Sequence, residues 1–332
     1  MTLEWWIEIL AKVLVIFVVV LTSVAYLTLV ERRVVALIQA RLGPNRAGPQ
    51  GLFQPWADAL KLMSKEQVIP TQADRLLFLA APVLSMVPAL MAFAVIPFGE
   101  SIHIFGRDVT FRLTDVNIPV LFLLALSSIG VYGIFLGGWA SNNKYALMGS
   151  LRSSAQMISY ELTMGLVVVS IVMTVGSFSL VQIVAAQHKL PFILTQPLAF
   201  VLFLIASFAE INRVPFDLPE AEPELVAGYH TEYSGMRFAL YFLGEYANLI
   251  TMSAMVTVLF LGGWLVPWPS PLWLSPLWFC IKVFVLVFFA IWTRGTLPRF
   301  RFDQLMAIGW KFLLPLALFN VFATGLFLAL KG

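Results

Sequence analysis

IEILAKVLVIFVVVLTSVAYLTLV, residues 7–30, is an almost uninterrupted run of apolar side chains. A bilayer core about 30 Å thick requires about 20 helical residues for each crossing, so a run of this length predicts a membrane span. Similar runs occur near 7–30, 76–98, 118–140, 156–175, 190–209, 238–262, 275–292 and 310–330. We therefore expect an all-α polytopic membrane protein of about eight transmembrane helices, with residues 1–332 forming a single transmembrane domain.

The composition excludes a water-soluble protein. Of the 332 residues, 60% are hydrophobic and 12% are charged, whereas soluble domains carry about 25% charged residues. The single cysteine, Cys280, excludes a disulfide framework or a cluster of thiolate metal ligands. The N-terminal stretch lacks a basic segment followed by a small-residue cleavage site, so we expect a retained first span rather than a signal peptide. The alternating segments of a membrane β-barrel are absent.

The distribution of lysine and arginine predicts which side of the bilayer each connection occupies. Fifteen of the 21 basic residues lie at Lys311 or in the odd-numbered connections, which are 31–75, 141–155, 210–237 and 293–309. The even connections and the termini hold four, namely Arg107, Arg112, Lys189 and Lys331. Because basic loops stay on the cytoplasmic side, the odd connections are predicted to face the cytoplasm of a bacterium or the matrix of an organelle. The plentiful basic residues favour the bacterial inner membrane over the mitochondrial one.

The first of these connections contains a predicted interfacial helix. After Pro55, the apolar residues Trp56, Leu60 and Met63 recur at helical spacing, and Asp58, Lys61 and Lys65 lie elsewhere around the helix. Such a pattern is typical of an amphipathic helix that lies along the membrane surface or beneath a partner protein.

Acidic residues are concentrated in the connections on the same side, although Asp and Glu contribute little to the orientation of a membrane protein. The fifth connection, FAEINRVPFDLPEAEPELVAGYHTEY (208–233), concentrates acids around a single arginine, Arg213. Two further acids, Glu161 and Glu245, lie within spans, and an ionised acid near the centre of a span is costly. With the fourth span starting near 156, Glu161, Glu210 and Glu245 are expected at a similar depth in the inner half of the bilayer. Crowded carboxylates exchange protons when a nearby charge changes, so these acids predict a proton path.

Other chemistry finds little support in the sequence. The histidines His103, His188 and His230 are scattered and show no metal-ligand spacing. No glycine-rich nucleotide-binding pattern occurs, and neither nucleic acid nor a metal is an expected ligand. A stand-alone secondary transporter would place charges near the midplane on paired repeats, which the sequence does not show. A passive membrane anchor for a soluble redox arm, or a docking surface for a basic partner, would leave the acids within the spans without a role.

Four stretches carry a resemblance to a known family. They are ERRVVALIQARLGPNRAGPQGLFQPWADALKLMSKE (31–66), GGWASNNKYALMGSLRSSAQMISYE (137–161), AEINRVPFDLPEAEPELVAGYHTEY (209–233) and PRFRFDQLM (298–306). Together they resemble the H-type membrane subunit of respiratory complex I, whose mitochondrial counterpart is NADH dehydrogenase subunit one. The resemblance extends from about Glu31 to Lys311.

The resemblance implies a quinone tunnel at the joint of a proton-translocating NADH:quinone oxidoreductase. The residues that it places along the tunnel or its mouth are Glu31, Arg32, Arg41, Trp56, Asp58, Arg294 and Arg299. The residues that it assigns to an acidic funnel, for proton transfer and coupling, are Glu161, Glu210, Asp217, Glu220, Glu222, Glu224 and Glu245. The funnel would lead to antiporter-like membrane subunits.

By the same resemblance, this chain carries no cofactor itself. Quinone is the substrate, while NADH, FMN and the iron–sulfur clusters belong to partner subunits, which include soluble iron–sulfur and quinone-site subunits above the inner face. Related subunits serve membrane-bound hydrogenases or dehydrogenases with other electron donors, and that alternative stays open because the donor site lies on other chains.

Overall fold

Long apolar helices dominate the computed structural model, which describes residues 3–104, 107–114, 116–217 and 227–331. The α-helices are α1 (Leu3–Ile38), α2 (Gln54–Ser64), α3 (Arg75–Met91), α4 (Pro119–Ala140), α5 (Lys144–Val175), α6 (Leu180–Ala186), α7 (Phe192–Thr195), α8 (Pro197–Glu210), α9 (Gly235–Phe260), α10 (Ser275–Thr296), α11 (Phe302–Ala307) and α12 (Leu314–Lys331). A π-helical turn, Ile308–Leu313, joins α11 to α12. The strands β1 (Ile102–Ile104) and β2 (Arg107–Val109) form a small antiparallel hairpin between α3 and α4, which the sequence pattern did not predict.

Within the described residues, seven helical segments are long and apolar enough to cross a membrane. They are Ile7–Ile38, Arg75–Ala94, Pro119–Ala140, Lys144–Val175, Gly235–Phe260, Leu272–Thr296 and Phe302–Leu330. The prediction of an all-α polytopic membrane protein is therefore confirmed.

The predicted span at 190–209 is not one continuous helix. It is divided into α7 and α8, and α8 has 14 residues, or about 21 Å at 1.5 Å per residue. That length falls short of a bilayer core about 30 Å thick. The division lies at Gln196, whose backbone is not helical because Pro197 follows it. The count of eight full-length spans is thus not reproduced.

The fourth span begins much earlier than expected. Helix α5 starts at Lys144 rather than near 156, and the side chain of Asn143 caps it by accepting a hydrogen bond from the amide of Tyr145 at 2.9 Å. The polar residues of the first turns do not end the helix because they are packed inside the protein. Ser150 and Ser154, for example, are buried and donate to carbonyls of their own helix.

Contacts between connections define the two faces of the molecule. On one face, which we call the inner face, the amide of Val68 donates to Ser234 at 3.3 Å, and Asn143 donates to Glu232 at 2.6 Å. The amide of Phe300 donates to the carbonyl of Pro215 on the same face. All four odd connections therefore lie together, as the distribution of charge predicts. The opposite, outer face holds the hairpin and the connections 176–196 and 261–274.

The amphipathic helix of the first connection is present as α2. Its apolar residues are left uncovered by the rest of the chain: Trp56 is 61% exposed, Leu60 66% and Met63 62%. An apolar surface of this kind on the inner face fits contact with lipid, a ligand or a partner subunit.

Candidate functional site

A buried arginine joins three separate parts of the chain on the inner side of the bundle. The side chain of Arg213 is 2% exposed. Its Nη1 donates to Oε2 of Glu31 in α1 at 2.6 Å, and its Nε lies 2.8 Å from Oε1 of Glu245 in α9. The guanidinium also stacks over the ring of Tyr246, 4.6 Å from its centroid. Arg294 of α10 pairs with the other oxygen of Glu31, so two cations and two carboxylates alternate in one cluster.

The cluster keeps its charges because they compensate one another. Burial by itself would lower the pKa of Arg213, but the carboxylates of Glu245 and Glu31 outweigh it, and the pKa is raised. An isolated charge in this place would be expensive, and removing one partner of a buried pair typically costs about 3–5 kcal/mol. The Nε contact to Glu245 is a short ion pair that lacks the angle of a hydrogen bond, which leaves Glu245 the less firmly held of the two acids.

The turn after α8 is what places Arg213 in the bundle. Gln156 of α5 donates from Nε2 to the carbonyls of Ala209 and Phe216, both at 2.8 Å, and so holds the turn at each end. Asn212 has a left-handed backbone, with φ at 56°, and its side-chain amide donates to Ser153 at 3.1 Å. Asparagine tolerates this conformation better than most residues. The sequence INR thus reverses direction and sends the arginine inward.

A second ion pair lies beside this cluster. Arg299 donates to Oδ2 of Asp217 at 3.0 Å. Burial raises the pKa of Asp217 to about 6, although Arg299 acts to lower it. A carboxyl group with a pKa of about 6 gains and loses a proton close to neutral pH, which is the property that a proton-transfer group requires.

Two more acids meet deeper in the bundle. Glu210 ends α8, is 4% exposed, and neither of its carboxylate oxygens has a hydrogen-bond partner within the described part of the chain. Glu161 of α5 interacts with it electrostatically and accepts a hydrogen bond from Ser128 of α4. A buried carboxyl group without partners is exceptional, because such a group loses its hydration without compensation.

The expected position of Glu161 within its helix was wrong. Because α5 starts at Lys144, Glu161 lies about 26 Å along that helix, near its middle, and not five residues from its inner end. Its partner Ser128 is likewise near the middle of α4. Glu161 is therefore farther from the start of its helix than the sequence predicts.

The residues expected along a quinone tunnel divide into two groups. Glu31 and Arg294 belong to the buried cluster, and Arg299 pairs with Asp217 beside it. Arg32 and Asp58 pair at 2.7 Å nearer the surface, with side chains 52% and 30% exposed, and Gln54 supports Asp58 at 3.0 Å. Because Glu31 and Arg32 are neighbours on α1, the exposed pair and the buried cluster adjoin.

Several of the predicted residues are not brought into this cluster. Arg41 contacts Gln39 at 2.7 Å within its own segment, and Trp56 lies on the exposed face of α2. Three of the predicted acids, Glu220, Glu222 and Glu224, fall outside the described residues. The described residues contain no group of three or more histidine, cysteine or acidic side chains that could hold a metal ion.

His230 is buried among aromatic rings. Its imidazole lies edge-on to Tyr229 and Phe238, with ring centroids 5.0 and 5.3 Å away. Burial lowers its pKa to about 4, so the ring is neutral at pH 7.

Sequence reasoning overlooked the side chains that organise the site. The sequence shows Arg213 as the single arginine of the acidic stretch 208–233. That position indicates a shared counter-ion, but it does not identify the acids that Arg213 contacts. Gln156, Ser128 and Tyr246 carry no such signal, because a polar residue inside a span cannot be assigned a partner until the helices are packed.

Comparison with known proteins agrees with this architecture. A sequence model of the family described as NADH dehydrogenase matches residues 11–325. The chain is 58% identical over 323 residues to an H-type subunit of the NADH-quinone oxidoreductase of Geobacter metallireducens, covering 97% of each chain. It is 53% identical to the H-type subunit of the NADH-quinone oxidoreductase of Thermomicrobium roseum, again covering 97% of each. The chain therefore belongs to the NADH dehydrogenase family, together with these H-type subunits.

Proposed function

We propose that this chain is the membrane subunit of an NADH-quinone oxidoreductase that encloses a quinone tunnel and couples quinone reduction to proton movement. The observation that carries the proposal is the set of buried and half-buried ionisable side chains on the inner side. It comprises the half-exposed pair of Arg32 and Asp58, the cluster of Glu31 and Arg213, and the deep acids Glu161 and Glu210. A passive anchor has no use for buried charges of this cost.

The substrate chemistry suits such an arrangement. A quinone that accepts two electrons also takes up two protons to become a quinol. In this proposal the electrons come from NADH through a flavin and iron–sulfur clusters on partner subunits. The protons, or the negative charge that precedes their arrival, appear close to the inner face. Asp217, whose pKa is about 6, is the described group best matched to exchanging protons there.

The size of the electrostatic effect is sufficient for coupling. One unit charge at 10 Å, in a medium of effective dielectric constant 20, interacts by about 1.7 kcal/mol. That energy exceeds one pKa unit, which is about 1.4 kcal/mol. A charge that appears on a reduced quinone can therefore change the protonation of a neighbouring acid. Arg213 follows Glu210 by three residues in the chain, so we expect a change in the charge of Glu31 or Glu245 to reach Glu210 through the turn that holds both residues.

The exposed apolar face of α2 suits the isoprenoid tail of the quinone. An isoprenoid tail needs an apolar surface continuous with lipid, and Phe53, Trp56 and Leu60 offer one next to the ion pair of Asp58 with Arg32. Such a site would hold the tail on apolar groups and the head near cations, the usual division of a ligand pocket. The same face can also adjoin the soluble partner subunits above it.

A photoreactive quinone analogue tests the tunnel. In the assembled enzyme, we expect light-induced labelling of residues 31–65 and 210–230, and competition by unlabelled quinone. Arg32→Gln should weaken labelling, while Arg301→Gln, on an exposed side chain of the same face, should not. Labelling confined to the outer connections would reject the proposal. Unaltered proton pumping after Glu161→Gln and Glu245→Gln would reject the coupling role and show that the chain acts as a membrane anchor.

A further inference from the structure

The outer face contains a recess that the proposed function does not use. Two adjoining cavities, of about 560 and 410 Å³, lie between the segments 99–101 and 110–112 that flank the β-hairpin, the chain from α6 to residue 193, and the connection 261–274. They share His188 and Leu265 as lining residues. Each volume falls in the range of about 300–1,000 Å³ that is usual for small-molecule sites.

Two polar side chains, the buried Gln187 and the half-buried Lys282, fix the walls of this recess. Gln187 donates to the carbonyl of Val258 at 2.8 Å and accepts from the amides of Gly262 and Phe192 at 2.9 and 3.2 Å. It thereby ties the chain after α6 to the end of α9. Lys282 of α10 donates to the carbonyls of Leu261, Gly263 and Leu265 at 2.6–2.9 Å. All three N–H groups of Lys282 are thus occupied, so the lysine shapes the recess and does not itself bind a ligand.

The solvent-exposed edge of the recess carries a positive charge at Lys189. The outer connections and the termini carry only four basic residues in the sequence, yet two of them, Arg112 and Lys189, line these two cavities together with His188. Lys189 and His188 are exposed. Among the lining residues that the structure describes, Glu100 is the one acid. Basic residues are disfavoured on this side of a membrane protein, so the exposed Lys189 beside His188 at this recess favours contact with a negatively charged group.

The surroundings of the recess are those of the lipid headgroup region. Trp268 and Trp273 are 52% and 67% exposed on the adjacent connection, and tryptophan is enriched at the membrane–water interface. Beside Lys189, the apolar side chains of Leu190 and Leu194 are 56% and 67% exposed. A molecule with an anionic head and an apolar body would meet both kinds of surface at once.

We propose that this recess binds an anionic phospholipid of the outer leaflet. Its phosphate and headgroup contact the exposed side chains of Lys189 and His188, and its acyl chains lie along Leu190 and Leu194. Gln187 and Lys282 hold the walls in place before the lipid arrives, which reduces the entropic cost of binding.

A photoreactive phosphatidylglycerol, carried at low fraction in phosphatidylcholine nanodiscs that contain the assembled enzyme, tests the proposal. We expect labelled peptides to concentrate within residues 184–194 and 261–268. Lys189→Gln should lower this labelling about fivefold, the effect of one basic residue at a membrane surface. Lys144→Gln removes an exposed positive charge from the inner face and serves as the matched control, with labelling unchanged. A photoreactive phosphatidylcholine should label the recess less.

Three results would overturn the lipid site. They are equal labelling of the wild type and Lys189→Gln, equal labelling by the two lipids, and the absence of label because a partner subunit covers the recess. Should Lys189→Gln fail to assemble, a salt titration of the wild type decides. Screening weakens attraction to an exposed cation, so added salt must reduce phosphatidylglycerol labelling and leave phosphatidylcholine labelling unchanged. A phosphatidylglycerol signal that is insensitive to salt would also refute the proposal.

Discussion

Arg213 shows how much a single side chain can organise in a membrane protein. Its guanidinium contacts a carboxylate of α1 and a carboxylate of α9 at 2.6 and 2.8 Å. Glu31 has a second cation in Arg294, whereas the described ion pair of Glu245 is the one with Arg213. Local sequence patterns, such as turn residues or apolar periodicity, cannot predict these contacts. The three residues are far apart in the chain and meet only after the helices pack.

Replacing Arg213 tests this interdependence. Arg213→Gln should destabilise the assembled complex by about 3–5 kcal/mol, because two buried acids lose their common counter-ion. Arg213→Gln combined with Glu245→Gln should recover part of the loss, since one of those acids is then neutral. Thermal unfolding of the purified complex measures both. Arg301→Gln is the control, because Arg301 and Asp303 are 78% and 68% exposed and such pairs contribute about 0–1 kcal/mol. Equal losses for the single and double variants would show that the charges are independent.

Asp217 should titrate near neutral pH. Burial raises its pKa from the ordinary value of 3.8 to about 6, so the folded state favours the protonated form. The corresponding contribution to the free energy of unfolding, roughly 3 kcal/mol, is present below about pH 4 and is lost as the pH rises through 6. Infrared difference spectra of the assembled enzyme should lose one protonated-carboxyl signal near pH 6, and Asp217→Asn should lack that signal. Asp303→Asn should keep it; a signal that survives Asp217→Asn belongs to another acid.

Helix α5 aligns the inner connections through a close approach of backbones. A Cβ atom added at Gly149 would lie 2.7 Å from Cα of Gly228 and 2.9 Å from the amide nitrogen of Tyr229. Gly149→Ala should therefore displace the turn 227–230 and lower the yield of assembled enzyme and its quinone reductase rate severalfold. Gly165 of the same helix has nothing within 4 Å of such an atom, so Gly165→Ala should be tolerated. Similar behaviour of the two variants would show that the close approach is unimportant.

The elements differ in how far the sequence predicts them. Apolar runs bounded by turns, such as 118–140 and 275–292, correspond closely to α4 and α10 because hydrophobic length alone determines a simple span. The start of α5 was missed, since Ser150, Ser153 and their neighbours resemble a polar connection until they are packed against the turn after α8. Pro197 indicates a break before α8, but hydropathy does not predict how short α8 is.

The molecule as a whole is divided between its two faces. The inner face gathers the described ion pairs of Glu31, Asp58 and Asp217, and the outer face is held by Gln187 and Lys282. The charge bias of the connections predicts this asymmetry. The sequence also predicts that the acidic residues form a proton path. How the charged residues divide into an exposed pair, a buried cluster and the deep pair of Glu161 and Glu210 depends on packing alone.

The deep pair provides the most direct test that buried acids couple quinone reduction to proton movement. In proteoliposomes containing the assembled enzyme, protons moved and quinone reduced are measured together for the wild type, Glu210→Gln and the exposed control Glu66→Gln. Groups that exchange protons in catalysis typically contribute roughly 100-fold or more. Glu210→Gln should therefore lower coupled proton movement to about a tenth or less, while Glu66→Gln matches the wild type. Wild-type quinone reduction and proton yield in Glu210→Gln would contradict the coupling role of these acids.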